Sequence, residues 1–145
     1  MDNLQQLQII SDSGLLILIW LVQIIIYPSF QYIEEEHFIE WHRRYTAMIG
    51  IVVTPLMLLQ IGVEGVFFLQ QDLRWQRVVF ITTVWLSTFL FSVPCHSQLH
   101  RSGKNITIIK RLVLTNWLRT FCWSILFLDT LTLSENIYIF NEGVH

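Results

Sequence analysis

The sequence predicts an all-α polytopic membrane protein, a four-helix transmembrane bundle forming a single domain over residues 1–145. Three observations predict it. Hydrophobic residues make up 53% of the chain and charged residues only 14%, against roughly 25% charged in ordinary soluble domains. The apolar residues gather into runs at about 13–30, 46–69, 78–95 and 106–133, each near the length a helix needs to cross a hydrocarbon core of roughly 30 Å. The polar residues concentrate between those runs.

Composition also bounds the partners. The formal net charge is −2 and no Lys/Arg-rich block forms a phosphate-tracking surface, so nucleic acid is not an expected partner and the lipid bilayer is. Cys95 and Cys122 fall in apolar stretches, where cysteine reads as a small buried hydrophobe rather than part of a disulfide framework.

The first span, Ser13 to Phe30, has no small-residue cleavage pattern and is expected to be retained. Tyr27-Pro28 near its end supplies an interfacial aromatic and a helix stop. At 3.6 residues per turn, Trp20, Gln23 and Tyr27 share one face.

Gln31 to Tyr45 is the most polar segment. Its acidic start at Glu34-Glu35-Glu36 and basic end at Arg43-Arg44 suit a helix dipole, so it is expected to extend the second helix beyond the membrane. Glu35, Phe38, His42 and Tyr45 lie on one face, and the same stripe continues to Gln60 and Glu64. Pro55 inside the second span is tolerated where neighbours re-satisfy the freed carbonyl.

A turn from Gln70 to Arg77 leads into the third span, predicted to pack on the second as a hairpin. Trp85, Thr88, Ser92 and His96 share a face, and His100 joins it if the helix continues past Pro94. Asn105 then precedes the fourth span, whose polar face carries Asn116, Arg119, Thr120 and Trp123. The tail from Ser134 to His145 is of mixed character and is expected at the interface.

The first and third connections carry Arg43, Arg44, Arg101, Lys104, Lys110 and Arg111, whereas the remaining exposed segments carry Arg74 and Arg77. The positive-inside bias therefore places both termini on the non-cytosolic side.

Topology and helical phase together bring polar groups from all four spans to the cytosolic end, where bundles build ligand sites. Arg119 is the anomaly. A charge within a span costs roughly 2.5–3.5 kcal/mol on insertion scales and normally has a partner inside the protein. Depth counting separates it from Glu64 by about 15 Å, leaving a ligand or a loop glutamate as its partner. The ligand-binding candidates are Arg119, Asn116, Tyr45, Tyr27 and Trp123. The metal-ligating candidates are His42, His96 and His100, with Glu35 as a ligand or orienting carboxylate, since imidazole suits Zn, Fe and Cu. Interfacial histidines bonded to headgroups or loop carbonyls are the plainer alternative.

Pro94-Cys95-His96-Ser97-Gln98-Leu99 at the end of the third span, taken with Asn116-Trp117-Leu118-Arg119-Thr120 in the fourth, resembles the pattern of small four-helix membrane proteins of the anthrone-oxygenase-like type. The resemblance covers those two spans and implies a four-helix fold with its polar pocket at the Pro94/Arg119 end.

Two functions are therefore expected. In one, the pocket binds a metal ion, a haem or a small aromatic or quinone-like lipophilic molecule, with a redox role in prospect. In the other, the chain is a non-catalytic accessory subunit of a larger membrane complex or a homo-oligomer.

Overall fold

The computed structural model describes residues 3–142, with side chains described over 3–132. Among the described residues there are four helices and no strand. They are α1 (Asn3–Tyr32), α2 (Glu35–Leu69) and α3 (Trp75–Ser102), followed by α4 (Ile106–Glu142). The first three are long and apolar enough to cross a membrane. The interfacial tail expected from Ser134 onward falls outside the described side chains.

Every helix runs past the apolar stretch that predicts it. At the start of α1, Gln8, Ser11 and Asp12 are buried, so the polar lead-in to the first span is part of the bundle rather than a solvated flank. The acidic first turn of α2 at Glu35 and Glu36 matches the positive end of the helix dipole.

Pro28 does not stop α1, and Pro94 does not stop α3. In each case a wide π turn sits directly before the proline. The Tyr27 amide donates to the Val22 carbonyl across Val22–Ile26, and the Val93 amide donates to the Thr88 carbonyl across Thr88–Ser92. A proline ring clashes with the carbonyl four residues back in a regular α-helix. Opening the preceding turn to a five-residue repeat relieves that clash and lets the helix continue. Pro55 lies inside α2 without a π turn.

The connections are short. Gly103 ends α3 with φ 75° and ψ −157°, a backbone region essentially reserved for glycine. The Asn105 side chain then caps α4, its Oδ1 accepting the amides of Thr107 and Ile108 at 3.0 and 3.2 Å. Lys104 Nζ donates to the carbonyls of Gln31 and Ile33 at 2.8 and 2.7 Å, tying the first and third connections together at one end.

The expected hairpin packing of the second and third helices is not what forms. α1 packs along both α2 and α4, and α4 in turn packs along both α1 and the Trp75–Ser87 part of α3. α2 meets α3 mainly at its Val93–Ser102 end. Two apolar clusters result. Leu15, Ile19, Met57, Val84, Trp123 and Leu126 pack in one, and Phe30, Phe38, Cys95, Leu99 and Leu112 pack toward the Lys104 end in the other. The outer surface carries exposed Ile, Leu, Val and Phe on all four helices.

Candidate functional site

The four helices hold two separate polar networks. The first, toward the N-terminus of α1, centres on Arg77, which is 1% exposed. Its Nη2 donates to Asp12 Oδ2 at 2.7 Å, its Nε to Glu64 Oε1, and its Nη1 to the Leu126 carbonyl at 3.0 Å and Thr130 Oγ1 at 2.9 Å. Asp129 lies 3.1 Å from the same guanidinium and also pairs with Arg74 at 2.8 Å. Gln60 donates to the second oxygen of Asp12 at 2.6 Å, and Gln8 to Glu64 at 3.2 Å. Every guanidinium nitrogen of Arg77 and both oxygens of Asp12 are satisfied, as a buried ion group requires.

This network corrects the sequence expectation in two places. Arg77 is a buried hub rather than a turn residue, joined by Asp12 just before the first span. Trp123, expected at the ligand, donates its Nε1 to Gln60 Oε1 at 3.3 Å and packs in the apolar cluster with Leu15 and Met57. It lies one turn beyond Arg119 on α4, which is enough to place it with the other network.

The second network forms the candidate site, at the Lys104 end. A cavity of about 390 Å³ is lined by residues of all four helices, among them Tyr27, Tyr45, His96, His100, Asn116 and Arg119. That volume lies within the usual range for small-molecule sites. The π turns lie directly beside it. Tyr27 ends the Val22–Ile26 turn, and both Thr88 and Ser92 of the second π turn are in the cavity wall. π turns inside α-helices occur frequently at functional sites because they re-aim the side chains that follow.

Inside the site the hydrogen bonds run in order. Asn116 Nδ2 donates to Gln23 Oε1 at 2.6 Å, and Gln23 Nε2 to the Val113 carbonyl at 3.4 Å. Arg119 Nη2 donates to Asn116 Oδ1 and, at 3.4 Å, to the Tyr27 hydroxyl. The Tyr27 hydroxyl is 3.3 Å from His96 Nε2, and His96 Nδ1 is 2.9 Å from His42 Nε2. Tyr27 accepts from Arg119. Where it donates its own proton to His96 Nε2, His96 is protonated on Nδ1 and donates to His42 Nε2, whose proton is then on Nδ1. In the opposite tautomers His42 Nε2 donates to His96 Nδ1, and His96 Nε2 to the Tyr27 oxygen. The His42 ring is fully buried, stacked on Phe38 at 5.4 Å and edge-on to Phe30 at 5.3 Å.

Arg119 is 7% exposed, and among the described residues no carboxylate pairs with it. Its contacts are the neutral groups of Asn116 and Tyr27. Its Nε has no hydrogen-bond partner, and neither do His42 Nδ1 and Ser92 Oγ. A buried guanidinium left short of an acceptor is costly unless something else fills the space. The loop glutamate expected as an alternative partner does not fill it.

The histidines converge, but not as metal ligands around a common point. Each of His42 and His96 turns a nitrogen toward the other, and His100 Nε2 is 3.1 Å from Thr46 Oγ1. Glu35 is exposed in the first turn of α2. Among the described residues no group of three or more His, Cys, Asp or Glu could hold a metal ion. Of the sequence candidates, Tyr27, Tyr45, His96, His100, Asn116 and Arg119 line the cavity, and His42 stands behind His96.

The described residues are helical, with three helices of membrane-crossing length and apolarity, and enclose a partly open, mostly apolar cavity with polar groups in its wall. No protein-family model, curated protein or solved structure matches the chain.

Proposed function

We propose that this chain is a multi-pass membrane protein, crossing the bilayer with all four helices and its histidine end at the cytosolic face. In this reading it binds a small lipophilic molecule whose polar head carries an acceptor oxygen. The head sits on Arg119, with Tyr27 and Asn116 fixing the guanidinium and His96 behind the phenol. The tail lies against Leu18, Val22, Ile49 and Val53, which line the same cavity.

The observation that carries the reading is the contrast between the two buried arginines. Arg77 is bonded through every nitrogen, whereas Arg119 bonds through Nη2 alone, with no acceptor for its Nε among the described residues. A planar fork of donors at the wall of a mostly apolar cavity suits an oxygen-bearing ligand head. The lysines and arginines near Lys104 support the orientation, and the apolar outer face of α4 supports a fourth span.

Purified full-length protein in detergent, titrated with decylubiquinone and with laurate, tests the proposal. At least one ligand binds, and Arg119→Ala or the length-matched Arg119→Met weakens that ligand at least tenfold, about 1.4 kcal/mol. A charge-assisted hydrogen bond is worth about 1.5–3 kcal/mol. Wild-type protein that binds neither ligand, or variants that bind as tightly as wild type, would overturn the reading.

A further inference from the structure

Two features of the cavity, its charge and its opening, say what kind of molecule fits and how it arrives. Among the residues lining it, none is a carboxylate, and Arg119 carries a permanent charge. The buried acids of the bundle, Asp12 and Glu64, are committed to Arg77 in the other network. A neutral head would accept a hydrogen bond from the Arg119 guanidinium and leave the buried charge uncompensated. An anionic head answers both demands.

The opening follows from how the helices pack. α2 and α3 touch mainly where α2 meets Val93–Ser102, and the earlier part of α3 leans on α4 instead. Between them the cavity wall is formed by Gly50 and Val53 of α2 and by Thr88 and Val93 of α3. A Cβ built on Gly50 meets nothing within 4 Å, so the wall is open there. The surface flanking this gap is apolar, with Ile51, Val52, Phe89 and Leu90 all exposed. Gly50 lies roughly 22 Å along α2 from its first residue at about 1.5 Å per residue, within the part of the helix that composition assigns to the bilayer.

We propose that the ligand is a single-tailed lipophilic carboxylate that enters sideways from the membrane through the cleft between α2 and α3, past Gly50 and Thr88, to seat its head on Arg119. This inference rests on the ligand-binding reading above and adds the charge of the head and the route. The cleft gives the tail an apolar exit, so a chain longer than the cavity is accommodated.

The test uses the full chain in lipid nanodiscs with radiolabelled laurate, methyl laurate and decylubiquinone. Laurate binds at least tenfold tighter than methyl laurate, and Arg119→Met removes that preference. To probe the route, Gly50→Cys is modified after folding with a benzyl methanethiosulfonate, both native cysteines being buried. Laurate uptake slows at least tenfold and recovers when a reductant removes the adduct. Gly50→Trp gives the same block permanently.

The outcomes separate the claims. Arg119-dependent binding of decylubiquinone or methyl laurate as tight as that of laurate overturns the anionic head while the ligand-binding reading stands. Unchanged uptake in the blocked Gly50→Cys protein overturns the lateral route while Arg119 dependence stands. Laurate binding that survives Arg119→Met overturns the inference and the reading together.

Discussion

Asp12 Oδ2 accepts a hydrogen bond from Arg77 Nη2 at 2.7 Å, with the two side chains 0% and 1% exposed. The pair joins α1 to α3, and Glu64 brings in α2 through the Arg77 Nε. Thr130 and the Leu126 carbonyl add α4. One guanidinium thus clamps four helices. Where packing surfaces are as apolar as the surrounding lipid, such polar bonds specify how helices associate.

Arg77→Ala leaves Asp12 and Glu64 buried and unpaired, an arrangement that costs about 3–5 kcal/mol. The expected result is a large fall in the midpoint of thermal or denaturant unfolding in detergent. Arg77→Lys recovers only part of it, since an ammonium cannot reproduce the planar five-donor fork. A midpoint for Arg77→Ala equal to wild type would show that the clamp contributes nothing.

With the Tyr27 hydroxyl donating to His96 Nε2, the bonds linking Arg119, Tyr27, His96 and His42 predict the tautomers. In protein carrying nitrogen-15 histidine, both His96 and His42 should give spectra of the Nδ1-protonated neutral ring. Tyr27→Phe removes the donor to His96 Nε2, and the His96 signal should move toward a mixture of tautomers. An Nε2-protonated His96 in the wild-type protein would reverse the direction of the chain.

Pro28 and Pro94 each follow a π turn, and the turns carry the site with them. Pro94→Ala removes the clash that holds Thr88–Ser92 open. Closing that turn to α geometry rotates the residues beyond it by roughly 100°, which takes His96 away from His42. The expected outcome is at least a tenfold loss of ligand binding with global stability within about 1 kcal/mol of wild type. Undiminished binding would mean that the π turn is set by something other than the proline.

Gly103 adopts φ 75° and ψ −157°. A Cβ there meets only Ile39 Cδ1 and Cγ1 at 3.7 and 3.8 Å, so space is not the constraint and backbone strain is. Gly103→Ala should destabilise by about 1–3 kcal/mol. The unfolding midpoint reads it directly, and an unchanged midpoint would show that the loop relaxes at no cost.

Much of the site is legible in the sequence. Apolar runs located the helices, and the phase of each run brought Tyr27, Tyr45, His96, Asn116 and Arg119 together, because a 3.6-residue repeat leaves little freedom over three or four turns. Three things were hidden. Arg77 stands in a polar turn and reads as solvated when taken singly; only paired with Asp12, 65 residues away, does it become fit for burial. The π turns escaped because proline reads locally as a stop, and the compensation lies in the backbone five residues upstream. The gap between α2 and α3 escaped because adjacent spans are expected to pack as a hairpin, whereas here α2 packs along α1, and the Trp75–Ser87 part of α3 along α4.

The central claim is that Arg119 has no acidic partner among the described residues because a ligand supplies one. Calorimetric titration of laurate and decylubiquinone into detergent-purified wild type and Arg119→Met tests it most directly. The account predicts saturable binding to wild type at one site per chain and at least a tenfold loss in Arg119→Met, with unfolding midpoints that stay close. Equal binding by the two proteins, or none by wild type, would contradict it.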